Sequence, residues 1–125
     1  MAAQGGELDV VKILVKAGAK VNTTDNDGRT PLSKAAEIGK LDVVKYLVEE
    51  AGAKVDTTDN DGRTPLSKAA ECGRLEVVKY LVEEAGAKVD TTNDIGQTPL
   101  SSACSWDNEH NKGAIQDLLR AAGAR

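Results

Sequence analysis

The tripeptide Thr-Pro-Leu recurs at 30–32, 64–66 and 98–100, a spacing of 34 residues both times. Around it, residues 23–56 and 57–90 align without gaps and differ at three positions: Ile38/Cys72, Lys40/Arg74 and Asp42/Glu76. A period of this length marks an array of small units, none of which buries both of its faces alone, so such a chain folds by stacking. Near-identity makes the two central units structurally equivalent. Their three differences become candidates for function or for drift.

Each unit reads as two helices and a turn. Thr30 is a good N-cap, and Pro31 stands at the first helical position, where its missing N–H costs nothing. Leu32, Ala35 and Ala36 then make a narrow face of small residues on a short helix, which Gly39 stops in a left-handed conformation. A second helix starts at Asp42 and carries the wider stripe Val43, Val44, Leu47, Val48 and Ala51, ending at Gly52. The stretch from Lys54 onward closes on Asp61-Gly62, a tight-turn signal.

With 125 residues the chain suits a single domain, 1–125, divided into units of approximately 1–22 (partial), 23–56, 57–90 and 91–125. Aromatic residues make up 2% (Trp106, Tyr46 and Tyr80), so the core must be built from Val, Leu, Ile and Ala in thin layers that suit close helix packing. The fold class expected is all-α, a solenoid with hairpin-like loops. Sixteen Lys and Arg against twenty Asp and Glu give a net charge of −4, without the basic stripe of a nucleic-acid binder. No stretch approaches the ~18 apolar residues of a membrane span. Two cysteines make no disulfide framework, and the expected location is intracellular and cytoplasmic, with the nucleus left open.

Residues 59–78, Asp-Asn-Asp-Gly-Arg-Thr-Pro-Leu-Ser-Lys-Ala-Ala-Glu-Cys-Gly-Arg-Leu-Glu-Val-Val, continue into Leu81-Val82 and Gly86-Ala87-Lys88-Val89-Asp90. This resembles the ankyrin repeat almost position by position, and the likeness recurs over nearly the whole chain. It implies two full central repeats, a truncated N-terminal repeat and a divergent C-terminal capping repeat. The family's usual His after Thr-Pro-Leu is Ser33, Ser67 and Ser101 here, so the inter-unit hydrogen bonding of that His is missing or replaced. The following position, often apolar, is Lys34 and Lys68. At the N-terminus Ala2-Ala3-Gln4 aligns with Ala35-Ala36-Glu37, which leaves a stump of first helix expected to fray or to be covered. At the other end Ile115, Leu118 and Leu119 continue the core stripe beyond an inserted loop, 105–113.

No catalytic constellation is present. His110 is the one histidine, and Cys104 aligns with the buried alanines Ala36 and Ala70, where it reads as a small core residue. Two cysteines and one histidine do not supply the closed ligand set of zinc. Asp25-Asn26-Asp27-Gly28 starts like a calcium loop, but it lacks the downstream bidentate Glu, since Glu37 falls in a helix already running from Pro31, so turn chemistry is the better reading. No cofactor, no metal and no enzymatic activity are expected.

In the ankyrin family partners dock on the concave surface of turn tips and first helices. By position, that resemblance implies a partner-binding set of Asp27, Arg29, Glu37, Ile38, Asp61, Arg63, Glu71, Cys72, Ile95, Gln97 and Trp106. Ile38, Cys72 and Trp106 form one column at 34-residue spacing, expected beside the groove and at least partly exposed. Trp106 serves there either as a binding anchor or as a lid over its own loop. Rows of mixed charge, Arg29/Arg63, Lys34/Lys68 and Glu37/Glu71, read as solvated faces. The expected function is a non-catalytic module, most simply a monomer, binding a protein or peptide. Association through the incomplete first unit remains open. Two other readings stand beside it. A consensus-like engineered scaffold is favoured by the near-identical central units and opposed by Cys72, the irregular loop and the Lys/Arg drift. A regulatory piece of a larger protein is favoured by the truncated first unit.

Overall fold

A computed structural model describes residues 12–13, 16–18, 21–101 and 112–123. Expectations for the first-unit stump, Cys104, Trp106 and His110 lie outside these residues. Within them run α1 (Pro31–Ile38), α2 (Leu41–Glu49), α3 (Pro65–Glu71), α4 (Leu75–Glu83) and α5 (Lys112–Ala121).

Local chemistry sets the helix starts. Thr30 is extended (φ −89°, ψ 164°), and its Oγ1 accepts the Ser33 N–H at 3.2 Å with Pro31 at the first helical position. Thr64 repeats this, and its own N–H donates to Ser67 Oγ at 2.9 Å. The serine hydroxyls then donate to the carbonyls of Thr30 (3.1 Å) and Thr64 (3.0 Å). The Ser that stands in place of the family's His therefore bonds within its own unit and tightens the cap. Gly39, at φ 86°, ends α1 by donating to the Ala35 carbonyl at 2.9 Å. The second helix starts one residue before Asp42, at Leu41. Asp42 sits in the first turn, its Oδ1 accepting the Val43 N–H at 2.8 Å, where a carboxylate meets the positive end of the helix.

Within each unit the two helices pack as an antiparallel pair, α1 on α2 and α3 on α4. Across units α1 packs on α3, α2 on α4, and α4 on α5. Ala35, Ala36, Ala69 and Ala70 are buried, and their small side chains let the first helices lie close. Leu32, Val44, Leu66, Val78, Leu81, Ile115 and Leu119 are fully buried in one continuous core. Burying each Leu contributes about 1.5–3 kcal/mol. Val48, Ala51 and Leu118 cover the rim.

The turns are built by an Asp and a Gly. Asp59 Oδ1 accepts the N–H groups of Asp61 and Arg63, both at 2.9 Å, and Asp59 N–H donates to the Arg63 carbonyl at 3.0 Å. The arms form no strand among the described residues. Gly62 takes φ 77°, and a Cβ there would lie 2.7 Å from Asp94 Oδ1 and 3.0 Å from the Asp94 backbone nitrogen. That closeness reflects a stitch between successive tips. Asn60 N–H donates to the Asp27 carbonyl at 2.9 Å, and Asp94 N–H to the Asp61 carbonyl at 2.8 Å.

Other bonds also cross the seams. Asn60 Nδ2 donates to the Asn26 carbonyl, Arg74 Nε to the Glu37 carbonyl and Tyr80 Oη to Glu49 Oε2 at 2.7 Å. Lys54 N–H donates to Asn22 Oδ1, and Lys88 N–H to Asp56 Oδ1. In each of these the later unit donates and the earlier unit accepts.

Candidate functional site

The turn tips and the first helices carry the residues singled out from the sequence. Among the described residues the exposed large apolar side chains are Ile13, Ile38 and Ile95, and the last two belong to this set. Ile38, at the end of α1, is 57% exposed, and Ile95, at the third turn tip, is 74% exposed. Cys72 stands at the corresponding end of α3 but is half-buried. Burial pushes its thiol above the ordinary value, so the nucleophilic thiolate is disfavoured at neutral pH. Trp106, the third member of the column, falls outside the described residues.

The charged rows differ from the solvated faces expected of them. Arg63 Nε lies 3.2 Å from Glu71 Oε2, without the alignment of a hydrogen bond, and Arg63 Nη1 lies 3.4 Å from Asp61 Oδ2. Arg29 Nη1 is 3.8 Å from Glu37 Oε2, and Lys68 Nζ is 3.4 Å from Glu37 Oε1. These arginines and glutamates are half-buried, and they neutralise one another along the surface.

Lys68 is buried whereas its counterpart Lys34 is exposed, although the two units are nearly identical in sequence. Lys68 reaches back across the seam to Glu37. One unit earlier the residue aligned with Glu37 is the uncharged Gln4, and Lys34 turns to Asp25 Oδ2 of its own unit at 3.1 Å. Lys68 and Arg74 thus hold the groove together by converging on Glu37, a role not evident in the sequence pattern. The Lys40/Arg74 difference was its one visible trace.

Asp25 Oδ1 accepts the N–H groups of Asp27 and Arg29 at 2.9 and 3.0 Å, which together with Lys34 holds its carboxyl below the usual range, the Arg29 bond first. The acid that begins the supposed calcium loop is thereby engaged in shaping the turn. Among the described residues no group of three His, Cys, Asp or Glu side chains is placed to hold a metal ion. In the third turn Asn93 and Gln97 replace the Asp and Arg of the other units. Asn93 Oδ1 accepts the Gln97 N–H at 2.9 Å while its Nδ2 donates to Gln97 Oε1 at 3.0 Å. The turn survives without charge, and Ile95 projects from it. A hollow of about 240 Å³ lies elsewhere, between the helix–helix turns, lined by Gly39, Gly73, Arg74, Leu75, Glu76 and Val77.

The geometry places equivalent turns, capped first helices and a shared core in one repeating order, and comparison with known proteins agrees. A family model described as ankyrin repeats (3 copies) matches residues 1–93 and 51–124. Potassium channel SKOR of Arabidopsis thaliana is 46% identical over 50 residues, 40% of this chain and 6% of the channel. Protein phosphatase 1 regulatory subunit 12A of Mus musculus is 45% identical over 49 residues, 39% of this chain and 5% of that protein. Cyclin-dependent kinase inhibitor 2A of Homo sapiens is 44% identical over 46 residues, 37% of this chain and 30% of the inhibitor. The matched segment thus spans a small part of each of these relatives. No helix among the described residues is long and apolar enough to cross a membrane. The chain belongs to the ankyrin-repeat family.

Proposed function

We propose that this chain is a non-catalytic interaction module that binds a partner protein or peptide on its turn tips and the exposed side of its first helices. The observation that carries the reading is the exposure of Ile38 and Ile95 on that face, set among charged side chains that already pair with one another. Self-paired charges hold the surface in a fixed shape, so little ordering entropy is lost when a partner docks. Asp27, Arg29, Glu37, Asp61, Arg63, Glu71, Cys72, Gln97 and Trp106 complete the proposed surface, with Glu37, Arg63 and Glu71 acting through its shape. The chain acts as a monomer in the cytoplasm or nucleus, and its acidic charge disfavours nucleic acid.

Two of its relatives are named as a phosphatase regulatory subunit and a kinase inhibitor. Those names support a regulatory role in which the partner is an enzyme, with this chain acting by occupancy. The test is alanine replacement of Ile38 and Trp106 in the full chain, with folding verified by circular dichroism. A genuine partner should lose about tenfold or more in affinity when both anchors are removed. Unchanged affinity would move the site off the first helices and towards the turn tips.

A further inference from the structure

The turn tips carry an uneven distribution of charge. The cations of this face are engaged by the protein's own acids: Lys34 by Asp25, Arg29 and Lys68 by Glu37, Arg63 by Asp61 and Glu71. The acids at the tips are not all so engaged. Among the described residues the carboxylates of Asp27 and Asp94 have no ion-pair partner, and Asp61, although near Arg63, keeps 68% of its side chain exposed. Asp27, Asp61 and Ile95 occupy the same position in three successive turns, 34 residues apart. The stitches Asn60 N–H to Asp27 and Asp94 N–H to Asp61 lock these turns side by side.

Packed helix layers repeat at about 8–10 Å. A polyproline II segment advances about 3.1 Å per residue with three residues per turn, so its positions i, i+3 and i+6 share one face at intervals of about 9 Å. A polyproline II period of this size suits a row that repeats at the general helix-layer spacing. An extended β-strand, whose side chains alternate with a period of two, would present every third residue to opposite sides.

Resting on the reading of this face as a partner-binding surface, we propose that the tip row Asp27–Asp61–Ile95 recognises a polyproline II segment. That segment carries basic residues at i and i+3 and an apolar residue at i+6, in either chain direction. The unpaired carboxylate of Asp27 and the exposed carboxylate of Asp61, which Arg63 also contacts, meet the two cations, and exposed Ile95 takes the apolar side chain. A preformed polyproline II conformation has little entropy left to lose, which suits a rigid row of this kind.

The test uses fluorescein-labelled synthetic peptides and the full chain, followed by fluorescence anisotropy at low salt. The probe is Lys-Pro-Pro-Lys-Pro-Pro-Leu, compared with a charge-reversed peptide bearing Glu for Lys and with a spacing-shifted peptide, Lys-Pro-Lys-Pro-Pro-Pro-Leu. The probe should bind about tenfold more tightly than the charge-reversed peptide. Asp27→Asn and Asp61→Asn should each weaken it about threefold, and Ile95→Asp, which restores the residue of the other two turns, about tenfold. Equal binding of the three peptides, absence of binding, or indifference to these variants would overturn the proposal. A separate selection of random peptides on the same chain keeps the wider reading distinguishable. Peptides lost on Ile38→Ala with Trp106→Ala but unaffected at the tips would leave the interaction surface standing and this row refuted. Selected peptides unaffected by either set would overturn both.

Discussion

Gly28, Gly62 and Gly96 hold the same place in three successive turns, and each has a positive φ, 76°, 77° and 80°. Their surroundings differ. A Cβ on Gly62 would press against Asp94 of the next turn, whereas one on Gly96 would meet nothing within 4 Å. Gly96→Ala should therefore cost only the left-handed backbone, about 1–2 kcal/mol. Gly62→Ala should cost clearly more than that, because it also parts the Asp94–Asp61 hydrogen bond. Urea unfolding of the two variants measures the difference; equal losses would show that the tip stitch contributes nothing. The Asp-Gly turn itself was legible in the sequence, since it needs only local chemistry. The close approach of the next turn was not, because it depends on how far apart two units settle. Lys34 and Lys68 show the same limit: identical surroundings in the sequence, opposite exposure in the fold.

Between elements, the seam joining α2 to α4 is closed by Tyr80. Its ring is buried, Lys45 Nζ lies 5.8 Å from the ring centroid, and its hydroxyl donates to Glu49. Burial first, then the bond and the charge of Glu49, push the phenol above its ordinary value of 10.0. The folded chain therefore retains this proton at a pH where the unfolded chain releases it. The associated stability is complete below about pH 10 and declines as pH rises through the higher folded value. Tyr80→Phe should lower stability at pH 7 by about 1 kcal/mol and should soften the loss of stability above pH 10. Thermal melts of both proteins from pH 7 to 11.5 read this out; parallel curves would mean that neither burial nor the Glu49 bond shifts the phenol. The helices carrying these residues were legible from their apolar periodicity. The Tyr80–Glu49 partnership was not, because it joins residues 31 apart whose side chains give no periodic signal. At the candidate site, the exposure of Ile38 followed from a core face already filled by Leu and Ala. The burial of the Arg–Glu rows did not follow, since pairing across a groove needs the groove.

At the scale of the molecule, the seam hydrogen bonds described above share one polarity: they run from donors on the later unit to acceptors on the earlier one, at the tips, along the first helices and behind the second. Residues 23–56 and 57–90 differ at three positions, so a copy of 57–90 offers a donor face and an acceptor face that already fit their neighbours. Splicing one additional copy after Asp90 would give a chain of 159 residues (125 plus 34). It should melt at a higher temperature and unfold in one transition, with a denaturant dependence steeper by about one quarter, in proportion to the added surface. Two separate transitions would show that the new junction is not equivalent to the old one. The directional seam thus makes length an adjustable quantity, extendable in whole modules inserted in a single sense, and any ligand footprint laid along the tips would lengthen by one register step with each module.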